Sequence, residues 1–132
     1  MLIQVSSFAD IAALGNKGVI LTVFGTATSR FLKKRPEKLI IDEAGYTPID
    51  NLKKLVNKRG RFFYYYDYGM LYSIKMGGFK NKVTVLPMSF RKYQHYIIYS
   101  KSVAENTIKE VNQIISRMKQ SGEMDSVRKK YQ

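Results

Sequence analysis

Apolar and polar residues along this 132-residue chain form short blocks that switch between the two-residue period of a strand and the longer period of a helix. Ser7-Phe8-Ala9-Asp10 has the spacing of an N-cap with an acid three positions on, and predicts a short helix through Leu14 that ends near Gly15. The apolar, β-branched run Val19–Phe24 predicts a buried strand. It stops at Gly25-Thr26-Ala27-Thr28, where small hydroxyl residues start a second helix. That helix must end by Arg35, because Pro36 disfavours helical geometry in the residue before it. Leu39-Ile40-Ile41 predicts a second strand. Thr47-Pro48-Ile49-Asp50 combines a cap, a first-turn proline and an acid, opening a helix with the stripe Ile49, Leu52, Leu55, Val56 that Gly60 closes. Phe62–Tyr66 predicts a third strand ending at Asp67, followed by a helix through Met70, Leu71, Ile74 and Met76 that Gly77-Gly78 terminates. Val83–Leu86 and His95–Tyr99 predict two more strands around a loop at Pro87. Strands alternating with helices in this way predict an α/β fold of βαβ units around a mainly parallel sheet.

The last segment breaks the alternation. Ile108, Val111, Ile114, Ile115 and Met118 mark one face of a helix ending near Gly122, and Met124, Val127 and Tyr131 mark a short terminal helix. Two helices without a strand between them are expected to pack on something other than the sheet core. The chain therefore divides into a sheet-containing region, 1–100, and a helical segment, 101–132.

Charge and composition narrow the partners. The net charge is +13, from 23 Lys and Arg against 10 Asp and Glu, which favours anionic partners over much of the surface. The cations are dispersed over Lys33, Lys34, Arg35, then Lys53, Lys54, Lys58, Arg59, Arg61, and finally Arg128, Lys129, Lys130. Such residues at helix ends complement the dipole, and with no finger, RNA-recognition or helix-turn-helix signature, nucleic acid is not the expected partner. Cysteine is absent, so disulfides and thiolate chemistry are excluded. The single histidine, His95, lies in a strand-like run, and no catalytic set, metal site or cofactor motif assembles from it. An enzyme is the least supported class. Met1–Val5 lacks the pattern of a signal peptide and no apolar run is long enough to span a membrane, so the expectation is a soluble chain without membrane insertion.

The candidate chemistry lies where strands deliver the chain to helices. At Gly25–Thr28, the first NH groups of a helix lack internal partners and carry the positive end of its dipole, so Thr26 and Ala27 NH with the Thr26 and Thr28 hydroxyls suit a carboxylate. A strand, a glycine and a cap are equally what any α/β unit needs to turn a corner. Asp67 suits an ammonium group, or else caps the helix that begins near Tyr68. Tyr64, Tyr66, Tyr68 and Tyr72 are divided between core and cleft, with about one in three expected at a ligand surface.

In order along the chain, four features resemble the second half of the family 3 extracellular solute-binding proteins, the type II periplasmic binding fold of polar amino-acid uptake systems. Ser7-Phe8-Ala9-Asp10-Ile11 before Gly15-Asn16-Lys17-Gly18 is similar to that family's short helix and glycine-lysine turn. Gly25-Thr26-Ala27-Thr28 is similar to its ligand-binding corner, and Ile49–Arg61 leading to an aromatic strand and Asp67 is similar to its helix, glycine-arginine turn and ligand-facing acid. Tyr96–Lys101, Asn112 and Met118–Glu123 through Lys129-Lys130-Tyr131 are similar to its return strand and terminal helices.

The resemblance implies a solute-binding lobe for an amino acid or small carboxylate, with Gly25, Thr26, Ala27, Thr28, Asp67 and Tyr68 at the ligand, an ABC permease as partner, and a periplasmic address. A chain complete without an export signal would be cytoplasmic instead. The bulk of the first lobe, with the arginine that grips the α-carboxylate, has no counterpart, and Phe63 stands where the family places a further acid. Without that lobe the apolar faces of the terminal helices lack their platform, which predicts a homodimer. Three functions follow: a truncated solute receptor, a dimeric interaction protein that retains the fold without a ligand, and a basic nucleic-acid-binding protein.

Overall fold

Ser7 opens the first helix as its spacing predicts: Ser7 Oγ accepts from the Asp10 NH at 3.2 Å, and α1 runs over Phe8–Ala13. The computed structural model describes residues 4–132, so the first three positions of Met1–Val5 lie outside the described residues. It divides into two compact units, Met1–Phe90 and Arg91–Gln132. In the first, a short 3-10 turn at Gly15–Gly18 feeds β1 (Ile20–Val23), whose four residues are all buried. β1 is the middle of a three-stranded sheet, between β2 (Ile41–Gly45) and β3 (Phe62–Phe63). Both pairings are parallel, with Ile20 opposite Ile41 on one side and Phe62 on the other. A central strand covered on both faces must be apolar throughout, which is why its sequence shows a run rather than an alternation.

Each face of the sheet carries its own core. Val5, Phe8, Ile11, Ile20 and Leu32 form one, joined by Phe31, Leu39, Ile41, Phe62, Tyr64 and Phe90, so α1 and α2 (Ala27–Lys33) cover that face. Leu52, Ile74 and Phe79 form the other with Ile49, Phe63, Met70 and Val83, beneath α3 (Pro48–Val56) and α4 (Asp67–Met76). Phe62 and Phe63 go to opposite cores, as neighbours on a pleated strand must. α3 begins with a full capping box: Thr47 Oγ accepts from the Asp50 NH at 3.1 Å, and the Asp50 carboxylate accepts from the Thr47 NH at 3.1 Å.

Several elements differ from their sequence patterns. The second strand begins at Ile41, two residues beyond the expected start, and includes Asp42 and Glu43. Charged residues are tolerated there because Lys54 pairs with Asp42 at 2.5 Å and Lys33 pairs with Glu43. α3 closes at Lys58, which takes the left-handed conformation (φ 59°) usually held by glycine. Gly60 serves packing instead: a Cβ there would lie 2.5 Å from Leu21 Cγ. Among the described residues, Val83–Leu86 and His95–Tyr99 form no strands. Apolar, β-branched residues make a segment extended, but a strand exists only where its NH and C=O groups find a ladder. Ile98 is accordingly 91% exposed.

The second unit holds α5 (Glu105–Ser121) and α6 (Glu123–Lys129), joined at Gly122 with φ 78°. Only glycine adopts that angle without strain, which fixes the turn between the two helices. Ile108, Val111, Ile115 and Met118 line one side of α5, half-buried, and neither helix contains a buried residue. Among the described residues, no helix is long and apolar enough to cross a membrane.

Candidate functional site

Parallel strands end at a common edge, so the corners leaving β1, β2 and β3 are neighbours. The order β2-β1-β3 adds a second feature. The chain leaves β1 for β2 on one side, with α2 over one face, then returns across β1 to β3 with α3 over the other. At such a switch the loops beyond adjacent strands part toward opposite faces and leave a crevice, the usual ligand position in open α/β sheets. Between β1 and β3 that position falls between the segments Phe24–Thr28 and Tyr64–Tyr68, which leave the two strand ends.

Gly25 makes the first corner possible, with φ 70°. Thr26 then caps α2: its Oγ accepts from the Ser29 NH at 3.3 Å and donates to the Val23 C=O at 2.8 Å. A hydroxyl has one proton, so the 2.7 Å contact between the Thr26 and Thr28 hydroxyls requires Thr28 to donate. Thr22 in turn donates to the fully buried Thr28 across 3.5 Å. The hydroxyls expected to receive a ligand are therefore ordered into a chain ending on Val23. The Thr26 NH also reaches the Val23 C=O, at 3.4 Å. Gly25 and Ala27 remain exposed at the corner.

A carboxylate does sit beside this corner, and it is the chain's own. Glu43, on β2, accepts from the Gly25 NH at 3.3 Å, the Ser29 hydroxyl at 2.5 Å and the Lys33 ammonium. The Lys33 hydrogen bond, and after it that of Ser29, hold the Glu43 pKa down at about 2 against the opposing effect of desolvation. Sequence reading missed this residue because its partners lie ten and fourteen positions away. The signal available was the pair Asp42-Glu43 inside an otherwise strand-like stretch.

On the other border, Asp67 is the first residue of α4, and its Oδ1 accepts from the Tyr68 NH at 2.8 Å. It is exposed, so its charge faces solvent at the helix start. The tyrosines divide by position. Tyr64 packs into the first core beside Phe8 and Phe31, while Tyr68 and Tyr72, one helical turn apart, are 37% and 44% exposed. Two aromatics at this edge escaped the sequence analysis: Phe24 and Tyr46, 56% and 73% exposed, lie against each other at 5.4 Å between ring centroids. Their signal was a phenylalanine and a tyrosine flanking strand ends, indistinguishable in sequence from core residues.

Together this edge offers exposed aromatic faces, a solvent-facing carboxylate at Asp67 and a helix start guarded by Glu43. Such a set can hold a small ligand by stacking and by pairing with an ammonium group. Among the described residues, no three His, Cys, Asp or Glu side chains are placed to hold a metal ion. Compared with protein-family models, curated proteins and solved structures, the chain matches none.

Proposed function

We propose that the first unit is a solute-binding lobe of the type II periplasmic binding class, taking an amino acid or related small carboxylate at the crevice between β1 and β3. The observation that carries this function is the coincidence of topology and chemistry: the sheet switches direction where Gly25, Thr26, Ala27, Thr28, Asp67 and Tyr68 border the strand ends. The ammonium end of the ligand pairs with Asp67, its body rests on exposed aromatic side chains, and its carboxylate competes with Glu43 for the start of α2. An ABC permease and a periplasmic address belong to the same proposal.

Tyrosine fluorescence titrations with glutamate, arginine and a diamine test it. Saturable binding by at least one of them is expected, with Asp67→Asn weakening it about tenfold or more, the scale of a lost charged hydrogen bond. Equal affinity in the variant removes Asp67 from the site. A second function is favoured by α5, an amphipathic helix without a buried residue: self-association through α5 and α6. Light scattering that shows a monomer over a hundredfold range of concentration, on the order of micromolar to a tenth of millimolar, rules the homodimer out.

A further inference from the structure

The opposite edge of the sheet has a different chemistry. In parallel βαβ units the helices return the chain to the N-terminal ends of the strands, so the loops ahead of β1, β2 and β3 lie side by side. Strand register fixes this arrangement, and the Arg61 NH donates to the Val19 C=O at 2.9 Å. These loops carry Lys17, Lys34, Lys38, Lys58, Arg59 and Arg61, all exposed. None of these side chains forms an ion pair among the described residues. The one acid in the same loops, Glu37, is consumed by Arg35 through two hydrogen bonds of 2.9 and 2.7 Å.

Helix dipoles account for only part of this charge. The last turns of α2 and α3 already contain Arg30, Lys33, Lys53 and Lys54; of the loop residues, Lys34 caps α2, Lys58 and Arg59 close α3 and Lys17 lies in the short 3-10 turn, while Lys38 and Arg61 lie beyond any helix end. The loops are also held in place by their backbones: Lys17 NH donates to Leu14 C=O at 3.1 Å, Lys58 NH to Leu55 C=O at 3.0 Å and Arg59 NH to Lys54 C=O at 3.0 Å. A lysine occupies the left-handed Lys58 position that favours glycine, which places one more charge in the row.

We propose that this edge binds the sugar-phosphate backbone of a duplex nucleic acid. Adjacent strands set the loops roughly 5 Å apart, and a duplex presents a dense, regular line of charge at about one per 1.7 Å of its axis. Stretches 15–19, 34–40 and 57–61 contain no aromatic residue, so they offer neither a platform for unstacked bases nor the aromatic anchors of membrane-surface segments. Phosphate contacts of this kind are independent of base sequence. Dispersed over the chain, the cations gave no motif; the parallel topology collects them.

Fluorescence anisotropy of the full chain with a labelled 20-base-pair duplex of arbitrary sequence tests the surface. If all six cations engage, log K falls with log salt at a slope of about −5. The triple variant Lys58→Asn, Arg59→Gln, Arg61→Gln should lose more than tenfold in affinity at low salt and flatten the slope by about 3. Asparagine is used at 58 because it tolerates the left-handed backbone, and matching circular dichroism and melting curves establish that the variant folds. An equal neutralisation in the second unit, Lys101→Gln, Lys119→Gln, Lys129→Gln, is the control for net charge. Losses as large in the control as in the edge variant overturn the proposal. So does absence of duplex binding at low salt, or binding to phosphatidylserine vesicles in preference to the duplex.

Discussion

Glu43 does the work of a bound anion at the start of α2, tying together the Gly25 NH in the corner and a serine hydroxyl and a lysine on α2. Its pKa is depressed from an ordinary 4.5 to about 2, so its contribution is fully present above pH 4.5 and is lost as pH falls through 2. Thermal melts between pH 7 and pH 2 should therefore show Glu43→Gln lowering the midpoint at neutral pH and converging on the parent protein at the acid end. A constant difference over the whole range would mean that the carboxylate charge is not what holds the corner. The same variant removes the negative charge beside the Gly25 NH, so a ligand carboxylate should bind it more tightly than the parent, measurable in the same fluorescence titrations.

At the scale of elements, caps and close approaches set the boundaries. Thr47→Ala removes the hydroxyl half of the α3 capping box, leaving the Asp50 carboxylate on the backbone NH of residue 47, and should cost about 0.5–2 kcal/mol in urea unfolding of the chain. Gly60→Ala drives a methyl into the buried Leu21 side chain and should cost about 1–3 kcal/mol. Little loss at Gly60 would show that the turn can move away from β1. Caps were legible in the sequence because each is local: Ser7, Thr26 and Thr47 all cap the helices their spacing announces. The run Ile20–Val23 was legible because a strand buried on both faces needs continuous apolar residues. Pairing was not, since it joins residues far apart. His95–Tyr99 has strand-forming residues but no ladder among the described residues, and β2 extends through two acids because lysines on α2 and α3 reach them. The candidate site was half legible for the same reason: the corner and Asp67 are local signals, while Glu43 and the exposed Phe24–Tyr46 pair depend on which strands lie side by side.

In the whole molecule, one parallel sheet of the first unit separates two chemistries. Its C-terminal edge gathers aromatic faces, Glu43 and Asp67, and its N-terminal edge gathers exposed cations, because the helices return the chain between those two ends. Leu52 joins α3 to α4 in the second core and is 1% exposed, so Leu52→Ala should cost about 2–5 kcal/mol and loosen the α4 side of the crevice along with the fold. Solute capture between β1 and β3 is the proposal on which the other ligand-binding expectations rest. A thermal-shift screen of the chain against amino acids, polyamines and small carboxylates at physiological salt tests it most directly. A ligand at about a hundred times its dissociation constant adds roughly 2.7 kcal/mol to the folded state and raises the midpoint by several degrees. Such a shift is expected for one chemical class, reduced in Asp67→Asn; a flat profile across all three classes at millimolar concentration would overturn the proposed solute site.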